Sequence, residues 1–408
     1  MANIILVTKG TYGDVVPFLV LGRALRHRGN HVTLISHCHY RDAVLLENLD
    51  FDSWDDERQY WDFIRDGPLL DTPRGMREFA SKHIVPQFAR EFHVIRSHCH
   101  QRETIIVARH MADLAARAVA ELSDIPLATV YTAVAQVECL PLLNQLYEKV
   151  LGDTINACRG RVGLPKIDNW ELWTRGSACS LGCWPSWFAE TGRAWPEKFA
   201  NLGFLDSAKI EHGPLPSVVT ELLNDVRGVI LISGGTAVSE LSRKFYQVSM
   251  EGCSSAQFNA LLVCRHEDLV PQKLLPGTVY FKHLPFASLM PRVAAVVHHG
   301  GTSILVRALM AGIPQIALPF GGDRPSTSRR LEQLGVCLRL ATSEWSPEAV
   351  ANGIRKVLDS PSISEACARM RARANTANQL SEGCRVVEAC AASPASGPLR
   401  CDKEDNEK

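Results

Sequence analysis

The chain has 408 residues, with 44 Lys+Arg against 44 Asp+Glu and so no formal net charge, and it is 46% hydrophobic and 22% charged. Its length exceeds the roughly 250–300 residues at which a single core stops growing, which calls for two compact units. The charge balance excludes a protein that coats nucleic acid, the apolar fraction excludes disorder over most of the chain, and no apolar run approaches the ~20 residues of a membrane span.

Asn3–Thr8 (NIILVT) is a β-rich apolar run, followed by a glycine-punctuated turn and by a helical pattern from Pro17 to about Gly29. His31–Ser36, Thr104–Ala108 and Leu127–Tyr131 repeat the strand theme, with a helix expected over Met111–Leu122. After a polar, proline-containing stretch at Asp206–Pro216 the same grammar restarts with Gly228–Ser233, Ala260–Arg265, Thr278–Phe281, Val293–His298 and Gln315–Pro319. The class is therefore α/β, with two Rossmann-like halves built from parallel βαβ units. We expect an N-terminal domain over 1–208, a linker over 209–226, a C-terminal domain with a terminal helix over 227–392, and a disordered tail over 393–408.

Thirteen cysteines, an odd number in a long chain without a charged-then-apolar leader, fit a reducing, cytoplasmic setting in which most thiols are small buried hydrophobes. Cys179 and Cys183 lack the second pair that a structural zinc site needs. Five of the eight tryptophans lie between Trp170 and Trp195. Together with the aromatic, acidic segment 49–82 they either line an apolar pocket in the first half or plug its core. The acidic string Asp50, Asp52, Asp55, Asp56 and Glu57 reads as a solvated surface in preference to a divalent-metal site.

Two loops carry chemistry. The first, Gly10-Thr-Tyr-Gly-Asp14-Val-Val-Pro17, lies between a strand and a helix, where open α/β sheets place ligands. It lacks both the dinucleotide fingerprint and the Gly-Lys-Ser/Thr of a P-loop. Asp14 there is a base or simply a helix cap. The second, His298-His299-Gly300-Gly301-Thr302-Ser303, presents imidazole, successive backbone N–H groups and two hydroxyls at a helix start, the chemistry that a diphosphate needs. Neighbouring residues at a strand end point oppositely and no third ligand is near, so metal binding by the two histidines is disfavoured.

These residues resemble the GT-B nucleotide-sugar glycosyltransferases, in particular the branch of bacterial natural-product enzymes related to plant UDP-glycosyltransferases. The matching pieces are the Asp14 loop, Asn201–Leu205, Ile232-Ser-Gly-Gly-Thr236, His283-Leu-Pro-Phe286, His298–Ser303 and Ala311-Gly-Ile-Pro314 to Asp323. The resemblance implies two Rossmann-like domains facing across a cleft, and an inverting transfer of a sugar to a small, largely apolar acceptor such as a bacterial secondary metabolite. It implies that His298, Gly300, Gly301, Thr302 and Ser303 hold the donor diphosphate with Gly235 and Thr236 beside it. His283 and Leu284 would meet the nucleobase, Asp323 the donor sugar, and Asp14 would be the general base. No cofactor or metal is implied, the nucleoside-diphosphate sugar being a co-substrate, and a monomer or homodimer is expected.

Three positions depart from the family pattern. Val306 stands where plant members carry a ribose-binding Glu. Arg324 follows Asp323 where most have Gln, and is either a partner for an unusual sugar or a surface arginine. His110 falls where plant members carry an Asp that orients a catalytic His, which suggests a swapped pair of Asp14 as base and His110 as partner. The alternatives are a non-catalytic nucleotide-sugar-binding or auxiliary protein and a GT-B sugar epimerase.

Overall fold

The structure, a computed structural model, describes residues 1–99, 103–189, 192, 195–205, 213–236, 241–375 and 379–392. By internal contacts it divides into two units, one of Met1–Gly10, Pro17–Leu202 and Asn378–Lys408, the other of Thr11–Val16 and Gly203–Ala377.

The first unit is built on a parallel sheet of β1 (Asn3–Val7), β2 (His31–Ile35), β3 (Asp50–Asp52), β4 (Thr104–Arg109), β5 (Leu127–Tyr131), β6 (Cys179–Gly182) and β7 (Phe199–Asn201), in the order β3-β2-β1-β4-β5-β6-β7. Every residue of β1 and β5 is buried, as expected of strands covered by helices on both faces. Trp54, Phe88, Phe92 and Ile95 pack with β1 and β4 in one core. The tryptophans divide between the two sequence expectations. Trp184 and Trp195 close on Phe199 in the interior, with Trp195 4.7 Å and Trp184 5.8 Å from it between ring centroids, whereas Trp173 lines a small pocket.

The second unit repeats the plan with β8 (Val229–Ser233), β9 (Asn259–Val263), β10 (Thr278–Phe281), β11 (Ala295–His298), β12 (Gln315–Ala317) and β13 (Cys337–Arg339), in the order β10-β9-β8-β11-β12-β13. Its core joins the Ile230, Ile232 and Val297 faces to Phe245, Tyr246, Phe320 and Trp345.

The structure differs from the sequence reading in three places. The first helix runs Tyr12–His27 and begins five residues before Pro17, which sits within it. Segment 49–82, aromatic and acidic in sequence and given no element there, contains β3, the helix Glu57–Arg65 with a full capping box at Asp56, and the helix Pro73–Phe79 capped by Thr72. The terminal helical stretch is two helices, Pro361–Asn375 and Gln379–Ala392, and the second groups with the first unit instead of completing the C-terminal domain. It packs on β4, β6 and β7. A Cβ on Gly383 would lie 2.1 Å from Leu202 Cδ2, and Glu388 pairs with Arg28 (2.7 Å) and accepts from Asn30 (2.7 Å). The expected tail, and residues 209–212 of the expected linker, lie outside the described residues, and Ser217–Leu223 of that linker is helical. Among the described residues no helix is long and apolar enough to cross a membrane.

Candidate functional site

In a parallel sheet all strands end at one edge, and ligands bind where the order reverses. In the second sheet that reversal lies between β8 and β11. The loop after β8 is Gly234-Gly235-Thr236 and that after β11 is His299-Gly300-Gly301, so both predicted donor loops flank the switch point. Gly235 and Gly300 have φ of +74° and +88°, values that side-chain-bearing residues rarely adopt.

His299 occupies the gap between the loops. A Cβ on Gly235 would lie 2.6 Å from the His299 ring, and one on Gly301 2.5 Å from it. The two glycines are thus a fitted seat for an imidazole. Sequence reasoning considered His299 only as a metal rival. The one available signal was the coincidence of two glycine-rich loops at strand ends, which says nothing of what fills the space between them.

His298, the end of β11, is fully enclosed, and its Nδ1 accepts from the Gly300 N–H (3.0 Å). Burial pushes it down to about 4 and holds His299 well below the ordinary histidine value, so both rings are neutral near pH 7. His298 therefore shapes the loop through a hydrogen bond and brings no positive charge to it. Polarity comes from the backbone: no side chain caps the helix Thr302–Ala311, and Thr302 and Ser303 are half-buried at its first turn.

A Cβ on Gly300 would lie 2.6 Å from Ser328 Oγ and 3.0 Å from the Arg324 carbonyl, which sets the helix Arg324–Gln333 against the same loop. Asp323 and Arg324 open that helix and are half-buried beside the glycines. The Arg324 guanidinium donates to the Phe320 carbonyl (2.7 Å) and lies over its ring, so it is held and not a free surface arginine. Val306 is buried in the interior of the helix Thr302–Ala311. Leu284 is buried, while His283 is exposed just beyond β10 and kept low by partial burial and by Arg265 and Arg307.

In the first sheet the order reverses between β1 and β4. Arg109 Nε donates across that point to the Lys9 carbonyl (3.1 Å), and Tyr40 donates to the Gly10 carbonyl (3.1 Å). Asp14 closes its own loop: Oδ2 accepts from the Thr11 N–H (2.8 Å) and hydroxyl (3.0 Å). Asp14 is therefore not the residue before the helix but the third residue within it, its half-exposed carboxylate tied back to Thr11.

Among the described residues His110, suggested as the partner of the base, makes no side-chain hydrogen bond. Both His110 nitrogens are buried without a partner, the ring packs against Tyr131 (4.8 Å), and burial pushes it down to about 4. It lines a cavity of about 70 Å³ with Leu114, Tyr147, Leu151, Ile155 and Trp173. The local reason is its position: its backbone N–H continues the β4–β5 ladder to the Val130 carbonyl (2.8 Å), which places the ring beside β5.

The acidic string is also corrected in part. Asp55 is buried against His37 and accepts from the Cys38 N–H (2.8 Å), Asp52 pairs with His98 (3.0 Å), Asp50 with His31 (3.0 Å), and Asp56 caps a helix. These partners are 17–46 positions away in sequence for Asp52 and Asp55 and so leave no local signal. Among the described residues no three His, Cys, Asp or Glu side chains gather as a metal site.

Residues 257–391 match the erythromycin biosynthesis protein CIII-like, C-terminal domain family. The chain is 23% identical to the O-mycaminosyltylonolide 6-deoxyallosyltransferase of Streptomyces fradiae over 95% of its length and 97% of that protein's. It is 32% identical to the 3-alpha-mycarosylerythronolide B desosaminyl transferase of Saccharopolyspora erythraea over 38% of each chain. The crystal structure of the glycosyltransferase VinC in complex with dTDP superposes with a TM-score of 0.70 at 15% identity, covering 95% of this chain and 99% of that one. Residues 257–391 thus match the C-terminal domain family of erythromycin biosynthesis protein CIII-like proteins, the chain is similar in sequence to antibiotic glycosyltransferases, and its fold is that of GT-B structures.

Proposed function

We propose that the chain transfers a sugar, with inversion, from a nucleoside diphosphate to a hydroxyl of a small, largely apolar acceptor. In this reading the second unit takes the donor, with the amides and hydroxyls of residues 300–303 on the diphosphate and Asp323 on the sugar. The observation that carries it is the seat at the switch point: two glycine loops closed on a neutral His299, beside a helix N-terminus that no side chain caps. Negative charge grows on the departing diphosphate, and fixed N–H dipoles stabilise it without reorganisation. Neither neutral histidine supplies that charge compensation.

On the acceptor side, Asp14 takes the hydroxyl proton as the oxygen attacks the anomeric carbon. One displacement by one nucleophile inverts that centre. Asp14→Asn separates the two roles of this residue, because the amide oxygen still accepts from Thr11 while its basicity is gone. The folded protein should melt as the wild type does and bind nucleotide unchanged, yet turn over ~10²–10⁴-fold more slowly. Wild-type turnover in that variant removes Asp14 from the chemistry. The donor side is tested by the rise in melting temperature with dTDP, the nucleotide bound in the VinC structure, beside UDP and GDP. No rise with any of the three overturns the assignment.

A further inference from the structure

The small cavity beside His110 belongs wholly to the first unit, and its walls are mostly apolar, with Leu114, Leu151, Ile155 and Trp173 among them. Its charged wall residues are already engaged. Arg117 pairs with Asp113 and donates to the Thr129 hydroxyl (3.1 Å) and to the carbonyls of Trp173 (2.9 Å) and Thr174 (3.1 Å). His110 is different: its ring is buried in the wall, and among the described residues neither nitrogen has a partner. A neutral imidazole carries one N–H donor and one lone-pair acceptor, and each is costly to bury unpaired. The wall therefore holds a capacity for hydrogen bonds that the protein itself does not use.

The backbone next to the ring carries a second signal. Arg109 to Ala112 is a turn, closed by the Ala112 N–H on the Arg109 carbonyl (3.0 Å), and its third residue, Met111, has φ +67°. Glycine or asparagine suits that position, and a methionine is strained there. Met111 also lines the cavity and is 44% exposed, so this part of the wall is a flexible thioether that reaches solvent. The strain is thus borne where an adaptable side chain stands between the cavity and water. At about 70 Å³ the space is about half of the ~150 Å³ that holds benzene, which leaves room for roughly three or four heavy atoms.

We propose that this cavity binds a short, neutral, apolar group carrying one carbonyl or hydroxyl oxygen, with that oxygen hydrogen-bonded to the His110 ring and with Met111 as the movable side of the entrance. The bearer of the group rests on the function proposed above: there it is an arm of the acceptor, and His110 selects acceptors by that arm instead of orienting Asp14. The walls decide the chemistry. An anionic arm gains nothing, because the Arg117 charge is spent on Asp113 and burial keeps the His110 ring neutral near pH 7. A wholly apolar arm fills the space but leaves both ring nitrogens unpaired. A neutral oxygen satisfies one of them, as acceptor from the ring N–H or, if a hydroxyl, as donor to the ring lone pair.

The full-length protein, with nitrogen-labelled histidine and carbon-labelled isoleucine methyl groups, is to be titrated by NMR without nucleotide. The probes are acetone, 2-propanol and acetate, which have the same number of heavy atoms and differ in charge. The two neutral probes should move the His110 ring nitrogens and the Ile84 and Ile155 methyl signals of the cavity wall along one saturable curve, and acetate should not. His110→Phe identifies the ring signals and should weaken 2-propanol binding ~3–10-fold through the loss of one hydrogen bond, whereas His110→Gln, which keeps a donor and an acceptor, should restore part of it. A cavity that simply holds water gives no saturable response to either neutral probe, and that result, or an equal response to acetate, overturns the proposal. The methyl signals of the wild-type protein decide by themselves, so the result does not depend on how the variants fold. No sugar donor takes part, so an unresponsive cavity here and a failure of dTDP to raise the melting temperature are separate results.

Discussion

His110 offers the sharpest numerical test of the first unit. In the folded chain its imidazole is buried and protonates only at about 4, against 6.5 in the unfolded chain. A group whose folded value is depressed binds more protons when unfolded between those two values, so stability falls as pH falls through that window. At pH 7.5 both states are neutral and the penalty vanishes. At pH 5.5 the unfolded imidazole is ~90% protonated and the folded one almost wholly neutral, which costs about 1.4 kcal/mol. Replacing His110 by Phe, which keeps a ring against Tyr131 and removes the titration, should cancel that amount. The assay is urea unfolding of wild type and His110→Phe at both pH values, since the difference between the two proteins removes every other titrating group. The variant should gain about 1.3 kcal/mol on the wild type between pH 7.5 and 5.5. A pH-independent difference refutes the placement of His110 as a buried neutral ring. An increase in the opposite sense means that it is charged and paired in the folded protein.

Three further outcomes follow from the packing. Gly301→Ala has an ordinary φ of −68° but brings a Cβ to 2.5 Å from the His299 ring, so it should weaken dTDP binding at least ~10-fold by titration calorimetry while the second unit stays folded. Gly383→Ala should destabilise the first unit by about 1–3 kcal/mol through Leu202, and adding Leu202→Ala should restore part of that loss in a double-mutant cycle, whereas strict additivity contradicts the contact. Asp55→Ala removes the buried acceptor of His37 and of the Cys38 N–H and should cost about 1–3 kcal/mol in denaturant unfolding, and an unchanged stability contradicts that pairing.

What could be read in the sequence was whatever the chain states locally. Fully buried parallel strands are continuous apolar runs, so Asn3–Val7, His31–Ile35, Leu127–Tyr131, Val229–Ser233 and Ala295–His298 stood out. Strands β3, β6, β7 and β13 have three or four residues each and no period to detect, and the first of them is the acidic Asp50–Asp52. The terminal helix displayed an apolar face, but such a face does not say which core it covers. Only the fit of Gly383 on Leu202, and of Glu388 on Arg28 and Asn30, selects the first unit.

The candidate site divides along the same line. The strand-to-helix pattern placed His298–Ser303 at the ligand-binding edge of a sheet, and the family resemblance added Gly235 and Asp323. The roles of the histidines did not follow from it, since they depend on burial. A His-His pair next to glycines suggests cationic contacts to a diphosphate, yet the fold removes both rings from water and hence from charge. What remains for the proposed diphosphate is a set of backbone N–H groups on loops where a side chain at Gly235 or Gly301 would strike His299. That arrangement accounts for the glycines on both loops: each leaves out a Cβ whose place the imidazole occupies, and the ring in turn fixes the distance between the loops. In the proposed reading the site would be formed before a nucleotide arrives, so the ordering cost of binding would already be met in folding.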